Sequence, residues 1–338
     1  VCARSHPPRT CAGPLTRAVD ISGDTVGAIG VTGANGFVGA AVIRCLVAAG
    51  YPAVAFSRGS FSPPAPATWR PLGELARATP AAEHLQKLRA VIHCAARVHV
   101  MRESAPDPLA TFRDVNCRGT LELARAAAAA GVPHFIFVST IKVMGEETVR
   151  GRPFRPGDPL SPCDPYAISK AEAEEGLAAL AGESGMMVTI ARPVLVYGPG
   201  VRANFAALAK VARSGLPLPI SNIANRRSFV FVENLADLLV RLAVNELPGG
   251  RIYLPSDGPA LSTPQLVREM ARAQGREVRL FPAPLSLARH FARLAGKDEA
   301  LRRLVGNLEV DRDHLAAAGW VPPFDLAEGL TRTFSPLR

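Results

Sequence analysis

From residue 25 onward, short apolar β-type runs alternate with stretches of helical period, and this alternation limits the chain to very few folds. Thr25–Thr32, Ala53–Ser57, Ala90–Ala95, His134–Ser139 and Met187–Ala191 read as strands. Between them, Gly36–Ala49 reads as a helix closed by Gly50. Pro108–Ala130 reads as a long Ala-rich helix closed by Gly131, and another helix starts at Asp164-Pro165. Strands separated by helices pair in parallel, because parallel neighbours need a crossover. The expected class is α/β, a doubly wound parallel sheet. Residues 59–82 are rich in Pro and Ser and read as irregular, with a short helix at Leu85–Leu88. Beyond Pro193 the pattern loosens, as expected of a smaller C-terminal lobe.

The 338 residues are 48% apolar and 20% charged, which is globular composition. No apolar run approaches the ~20 residues of a membrane span, so no integral membrane segment is expected. Residues 1–24 mix Pro, Arg, Ser and Gly without the order of a secretory signal, and are expected to form a loose tail. The net charge of +10 comes mostly from scattered Arg. It forms no aromatic-interleaved stripe, so nucleic acid is not an expected partner. The six cysteines are dispersed without CxxC pairs, which indicates neither a metal site nor a disulfide framework and suits a cytoplasmic protein.

Thr32-Gly33-Ala34-Asn35-Gly36-Phe37-Val38-Gly39 joins the first strand to the first helix. Such glycines permit a tight turn and let a pyrophosphate approach the free N–H groups of the helix N-terminus. A Rossmann-like dinucleotide site is expected there. The second strand ends in Phe56-Ser57-Arg58, with no acid to hold a ribose 2′-hydroxyl. Arg58 suits a 2′-phosphate, so NADP(H) is favoured, with NAD(H) the alternative. Thr140 follows the strand His134–Ser139 on the edge where ligands bind in such sheets. Tyr166 and Lys170 lie four apart on one helix face. An ammonium group at that distance is expected to lower the phenol's pKa toward the working range.

These pieces occur in order with His93-Cys94-Ala95-Ala96, Val115-Asn116-x-x-Gly119-Thr120, Ala191-Arg192-Pro193, Val196-Tyr197-Gly198-Pro199-Gly200 and Arg227-Ser228-Phe229-Val230-Phe231-Val232. The set, over roughly residues 25–335, resembles the extended short-chain dehydrogenase/reductase family in its nucleotide-sugar epimerase/dehydratase branch. The resemblance implies Tyr166 as the acid/base on a sugar hydroxyl or ketone. It implies Lys170 as the group that binds the nicotinamide ribose, Thr140 as the residue orienting the reacting oxygen, and Asn116 as a supporting residue. Gly33, Asn35, Gly36, Phe37, Val38, Gly39, Ser57, Arg58, Ala95, Ala96 and Pro193 would line the cofactor. Asn204 and Arg227 would hold a nucleotide diphosphate, with Arg226 competing for the role. A UDP-sugar substrate and a homodimer are implied partners. The implied domains are residues 25–195 for the dinucleotide, with 229–257 packing back on them, and 196–228 with 258–338 for the nucleotide sugar.

Departures from the family narrow the expected reaction. Where 4,6-dehydratases place an Asp-Glu pair, this chain has Ile141-Lys142, so dehydration lacks its acid and base. Met144 replaces a common Tyr, and the Arg of the late substrate motif is not evident in Val305–Asp311. Ala96–Met101 and Asn225–Ser228 resemble a group tied to bacterial surface polysaccharide. A 4-reductase of a UDP-4-keto-6-deoxy-hexosamine is the expected activity, because Arg58 favours NADPH. A UDP-glucose or UDP-GlcNAc 4-epimerase is the alternative, and a non-catalytic NADP-binding sensor the minor one. His93 is expected as a satisfied core histidine, Arg302-Arg303 as a solvated face, and the amphipathic Leu287–Leu294 as packing in the lobe.

Overall fold

A computed structural model describes residues 27–75, 80, 82–98, 107–284 and 298–335. The expected tail 1–24 and the stretch Leu287–Leu294 lie outside the described residues. Seven strands form one parallel sheet: β1 (Ile29–Thr32), β2 (Ala53–Ser57), β3 (Thr68–Pro71), β4 (Ala90–His93), β5 (His134–Val138), β6 (Met187–Ala191) and β9 (Ile252–Tyr253). Their order is β3-β2-β1-β4-β5-β6-β9, so the chain winds outward from β1 in both directions. This is the doubly wound α/β fold that the alternation predicts.

Both faces of the sheet are covered, which explains why its strands read as near-continuous apolar runs. Ile29, Val31, Ala53, Ala55, Ala90, Ile92 and Ile136 meet α1 (Phe37–Ala48) and α7 (Val232–Ala243) on one side. The intervening Val54, Phe56, Val91, Phe135 and Phe137 meet α4 (Gly119–Ala129) and α5 (Pro165–Ser184) on the other. Local signals set the helix ends. Asp164 accepts from the Ala167 N–H ahead of Pro165 at the start of α5, and Gly185, at φ 72°, closes that helix.

Four expectations about elements need correction. β3 lies inside the segment read as irregular, because Thr68-Trp69-Arg70-Pro71 is an edge strand with no alternation to announce it. The short helix is α2, Ala82–Leu85, not Leu85–Leu88, where Lys87 takes φ 67°. β4 stops at His93, two residues early. The long helix exists as α3 (Pro108–Phe112) and α4, but a π turn at Arg113–Arg118 interrupts it.

Beyond β6, β7 (Leu195–Tyr197) pairs with β8 (Phe229–Phe231), separated by α6 (Ala203–Arg213). Leu308 bridges to Arg227 and Val310 to Phe154, so three distant segments lie side by side there. The C-terminal part is fastened to α7 through the buried Asn234, whose Nδ2 donates to the Phe324 carbonyl at 2.8 Å and to Asp257 at 2.7 Å. Its Oδ1 accepts from the Phe324 N–H at 3.0 Å. Replacing Asn234 by Ala strands these partners in the interior. Asn234→Ala should therefore cost at least about 2 kcal/mol in urea unfolding. A loss under about 0.5 kcal/mol would show that this fastening is dispensable.

Candidate active site

The turn after β1 is built around close backbone approach. Gly33 has φ 63°, and a Cβ on it would lie 2.8 Å from Ala95 Cα. A Cβ on Gly39 would lie 2.2 Å from the Gly33 carbonyl oxygen, so α1 can start beside β1 only with glycine there. Gly36 precedes α1 with no side chain capping the helix, and no acid occupies its first turn. Asn35, Gly36 and Phe37 are exposed, while Val38 is half-buried beside them. A glycine cradle, an uncapped helix N-terminus and a short aliphatic wall at Ala95 and Ala96 fit a dinucleotide. Ser57 is buried at the end of β2, with its hydroxyl held between Gly59 and the Trp69 indole. Arg58 beside it is exposed.

One directed chain of hydrogen bonds crosses the site. The Ala95 N–H donates to Thr32 Oγ1 at 3.2 Å, and Thr32 Oγ1 meets His93 Nδ1 at 2.6 Å. His93 Nε2 meets Thr120 Oγ1 at 3.0 Å, and Thr120 donates to the Asn116 carbonyl at 2.7 Å. Because Thr120 spends its proton on Asn116, His93 Nε2 must be the donor and Nδ1 the acceptor of a neutral ring. Burial, then the charge of Lys170, pushes the His93 pKa down to about 3. It is thus the satisfied core histidine the sequence suggests.

Asn116 lies in the π turn, fully buried. Its Oδ1 accepts from the Arg97 N–H at 2.8 Å, and its Nδ2 donates to the Arg97 carbonyl at 3.0 Å and to Ser169 Oγ at 3.1 Å. Ser169 donates in turn to the Tyr166 carbonyl at 2.8 Å. The loop after β4 is thereby tied to the helix carrying Tyr166. Gly119 follows because a Cβ there would lie 2.5 Å from the Leu75 carbonyl oxygen.

Tyr166 is half-buried on the first turn of α5, with its ring edge to face with Phe112 at 6.1 Å between centroids. Lys170 is buried one turn on. Its Nζ donates to the Val138 carbonyl at 2.9 Å and lies 4.3 Å from the centre of the Phe137 ring. The expected lowering of the Tyr166 pKa is absent from this arrangement. Burial, then the nearby Asp164 carboxylate, pushes the phenol above its usual range, while the Lys170 ammonium is spent on Val138 and Phe137. Burial pulls Lys170 itself down to about 8, against the opposing pull of Cys94 and Glu174. Thr140 is half-buried, and its hydroxyl accepts from the Lys142 N–H at 3.3 Å.

Several supporting residues escaped the sequence reading. Glu174 and Arg192, both 4% exposed, form a buried ion pair at 2.6 Å, and Ser139 donates to Glu174 at 2.5 Å. The pair fixes α5 to the ends of β5 and β6 below Lys170. A signal existed: Glu174 falls one turn after Lys170 on a face otherwise made of Ala167, Ala171 and Leu177, and a charge there demands a partner. Of the two arginines competing for a diphosphate, Arg226 is held bidentately by Glu309 at 3.0 and 3.1 Å. Arg227 donates to the Gly306 carbonyl at 3.2 Å. Asn204 is exposed in the first turn of α6, and Pro193 is buried with its carbonyl bonded to the Ile141 N–H at 3.0 Å. A cleft of about 250 Å³ opens beside the Arg226–Arg227 segment, lined by Arg150, Asn222, Asn225, Val305 and Asn307. Among the described residues no cluster of His, Cys, Asp and Glu suits a metal, and no helix is long and apolar enough to cross a membrane.

A model of the NAD dependent epimerase/dehydratase family matches residues 29–254. The chain is 44% identical over 251 residues to a UDP-glucose 4-epimerase of Vibrio cholerae, covering 74% of this chain and 76% of that protein. It is 26% identical over 240 residues to an N-acetyl-alpha-D-glucosaminyl-diphospho-ditrans,octacis-undecaprenol 4-epimerase of Escherichia coli O157:H7, covering 67% and 72%. Its fold matches a UDP-glucose 4-epimerase of Thermus thermophilus, solved with NAD, at a TM-score of 0.68 and 24% identity over 90% of this chain and 97% of that one.

His93 gives the site an acid limit. Above pH 6.5 its ring is neutral whether the chain is folded or not; below that, the unfolded ring takes up a proton that the folded ring refuses until about pH 3. Stability should therefore fall with acid across that window, by about 1.4 kcal/mol per pH unit where only the unfolded ring is charged. In His93→Gln, which can still bond both threonines, urea unfolding should show a shallower pH slope. His134, pushed down by burial to about 4, leaves part of the slope in place. An identical slope in the variant would contradict the assignment.

Proposed function

Because this chain belongs to the NAD dependent epimerase/dehydratase family, we propose that it is a nucleotide-sugar 4-epimerase, inverting C4 of a UDP-hexose through a 4-keto sugar. The observation that carries this reading is the 44% identity to the Vibrio cholerae UDP-glucose 4-epimerase. That relative favours the epimerase over the 4-reductase suggested by Arg58. The turn after β5 argues against dehydration: Ile141 is buried in the core and Lys142 is paired with carboxylates, so neither offers an acid or base there.

In this reading Gly33, Asn35, Gly36, Phe37, Val38 and Gly39 hold the cofactor pyrophosphate, Ser57 and Arg58 face its adenosine ribose, and Ala95, Ala96 and Pro193 line its path. Bound there, a nicotinamide dinucleotide supplies reversible hydride exchange with the sugar C4. Tyr166 takes the proton of the C4 hydroxyl as the ketone forms and returns it when the opposite configuration is made. Thr140 donates to the same oxygen, and Lys170, one turn along α5, binds the cofactor ribose. Asn116 holds the loop of Arg97 against α5 and so keeps Tyr166 in register. Asn204 and Arg227 hold the diphosphate, and the cleft beside Arg227 receives part of the nucleotide. The reaction takes place in the cytoplasm, in supply of surface polysaccharide.

A second reading, a 4-ketoreductase using NADPH, is favoured by one observation: Arg58 is exposed at the end of β2, where no acid stands. Incubation with UDP-glucose, UDP-GlcNAc and the UDP-4-keto-6-deoxy sugar, with and without NADPH, separates the two. An epimerase gives product without net cofactor turnover, whereas stoichiometric loss of NADPH identifies the reductase. Tyr166→Phe should lower kcat at least about 100-fold; unchanged turnover would remove Tyr166 from the chemistry. Arg58→Ala should weaken NADP+ binding about tenfold while sparing NAD+, and equal effects on both would withdraw the 2′-phosphate role.

A further inference from the structure

The turn that carries Thr140 and the helix that carries Tyr166 are joined by one charged contact. Lys142, in the 3-10 turn Ile141–Met144, bonds Asp164 Oδ2 through its Nζ, while Asp164 Oδ1 caps α5 by accepting from the Ala167 N–H at 2.7 Å. Both carboxylate oxygens of Asp164 are thus committed, one to each element. The pair is only partly open to water, at 29% and 25% side-chain exposure, and Glu146 stands outside it, 3.5 Å from Lys142 Nζ. The same Lys142 contributes its backbone N–H to Thr140 Oγ1.

We propose that Lys142 is a positioning residue for Tyr166: it locks the Thr140 turn onto the first turn of α5 and pairs with the Asp164 carboxylate that caps that turn. The inference rests on the reading of Tyr166 as the proton-transfer group. Asp164 opposes ionisation of Tyr166, second only to burial. An unpaired carboxylate there would make the phenol a poorer acid still, and a cation bonded to it reduces that penalty. Among the described residues, the other cations near the phenol make their contacts elsewhere. Arg97 lies over the far ring, with its guanidinium 5.6 Å from the centre of Phe112. Lys170 is turned toward Val138, with Cys94 and Glu174 behind it. One of the two positions where the dehydratases carry carboxylates is here given to a cation that serves the tyrosine.

The test uses the full chain with NAD+ and whichever UDP-sugar it turns over, and follows kcat against pH. In Lys142→Met the limb that reports Tyr166 should move up by about one pH unit, with kcat at pH 7 down about tenfold and KM within about twofold. Lys142→Arg should restore both. Asp164→Asn keeps a good helix cap but removes the charge, and should move the limb the other way; combined with Lys142→Met it should return the limb toward the parent. An unmoved limb in Lys142→Met, or a loss confined to KM, overturns the proposal while leaving Tyr166 in its role. Tyr166→Phe with parent turnover, or no turnover on any UDP-sugar, overturns the functional reading and this inference with it. Should Lys142→Met not fold, the opposite shift in Asp164→Asn still decides the matter.

Discussion

The site hangs on a set of hydrogen bonds that can run in only one direction. Thr32, His93, Thr120, Asn116 and Ser169 each have a limited stock of protons, and each proton is spent on the next partner. Starting from a backbone N–H at Ala95 and ending on the backbone carbonyl of Tyr166, the series links β1, β4, the π turn and α5. Only a neutral imidazole with its proton on Nε2 completes it. Burial keeps the ring neutral, and Thr120, whose proton is committed to Asn116, fixes the tautomer, so the tautomer and the shape of the site are tied together.

Around this neutral thread the charges are arranged at the expense of stability. Lys170 is enclosed although burial disfavours its charge, and it is compensated by a carbonyl and an aromatic face rather than by a contacting carboxylate. Glu174 sits one turn away but is claimed by Arg192 and Ser139. A buried pair of this kind gives less stability than its geometry suggests, because both ions are stripped of water. Its value lies in orientation: it makes the ends of β5 and β6 and the middle of α5 move as one body. Lys170 therefore keeps its charge without a contacting carboxylate.

The fold was legible because its signals are collective. Each interior strand shows its two buried faces as a near-continuous apolar run, and each major crossover helix ends where a glycine or a capped proline says it should. β3 was not legible, since an edge strand of Thr68, Trp69, Arg70 and Pro71 has no inward-facing period to display. At the site, Gly33, Gly36, Gly39, Tyr166 and Lys170 stand out because their chemistry is bound to their spacing. Long-range pairs do not stand out. Nothing local in Lys142 or Asp164 announces that the two meet across twenty-two positions, nor in Arg226 that Glu309 will claim it. The direction of the Lys170 ammonium was likewise out of reach, since it depends on Phe137 and Val138 on a different element.

The π turn at Arg113–Arg118 has a consequence for anyone who would engineer this chain. It accommodates one more residue than an α-helix would hold between α3 and α4, so the surfaces on either side are out of phase by about a quarter turn. Deleting a residue there would regularise the helix and improve its own hydrogen bonding. It would also swing Asn116 off the axis that joins Arg97 to Ser169. A consensus or idealised redesign would thus regularise the backbone where irregularity holds Asn116 in place.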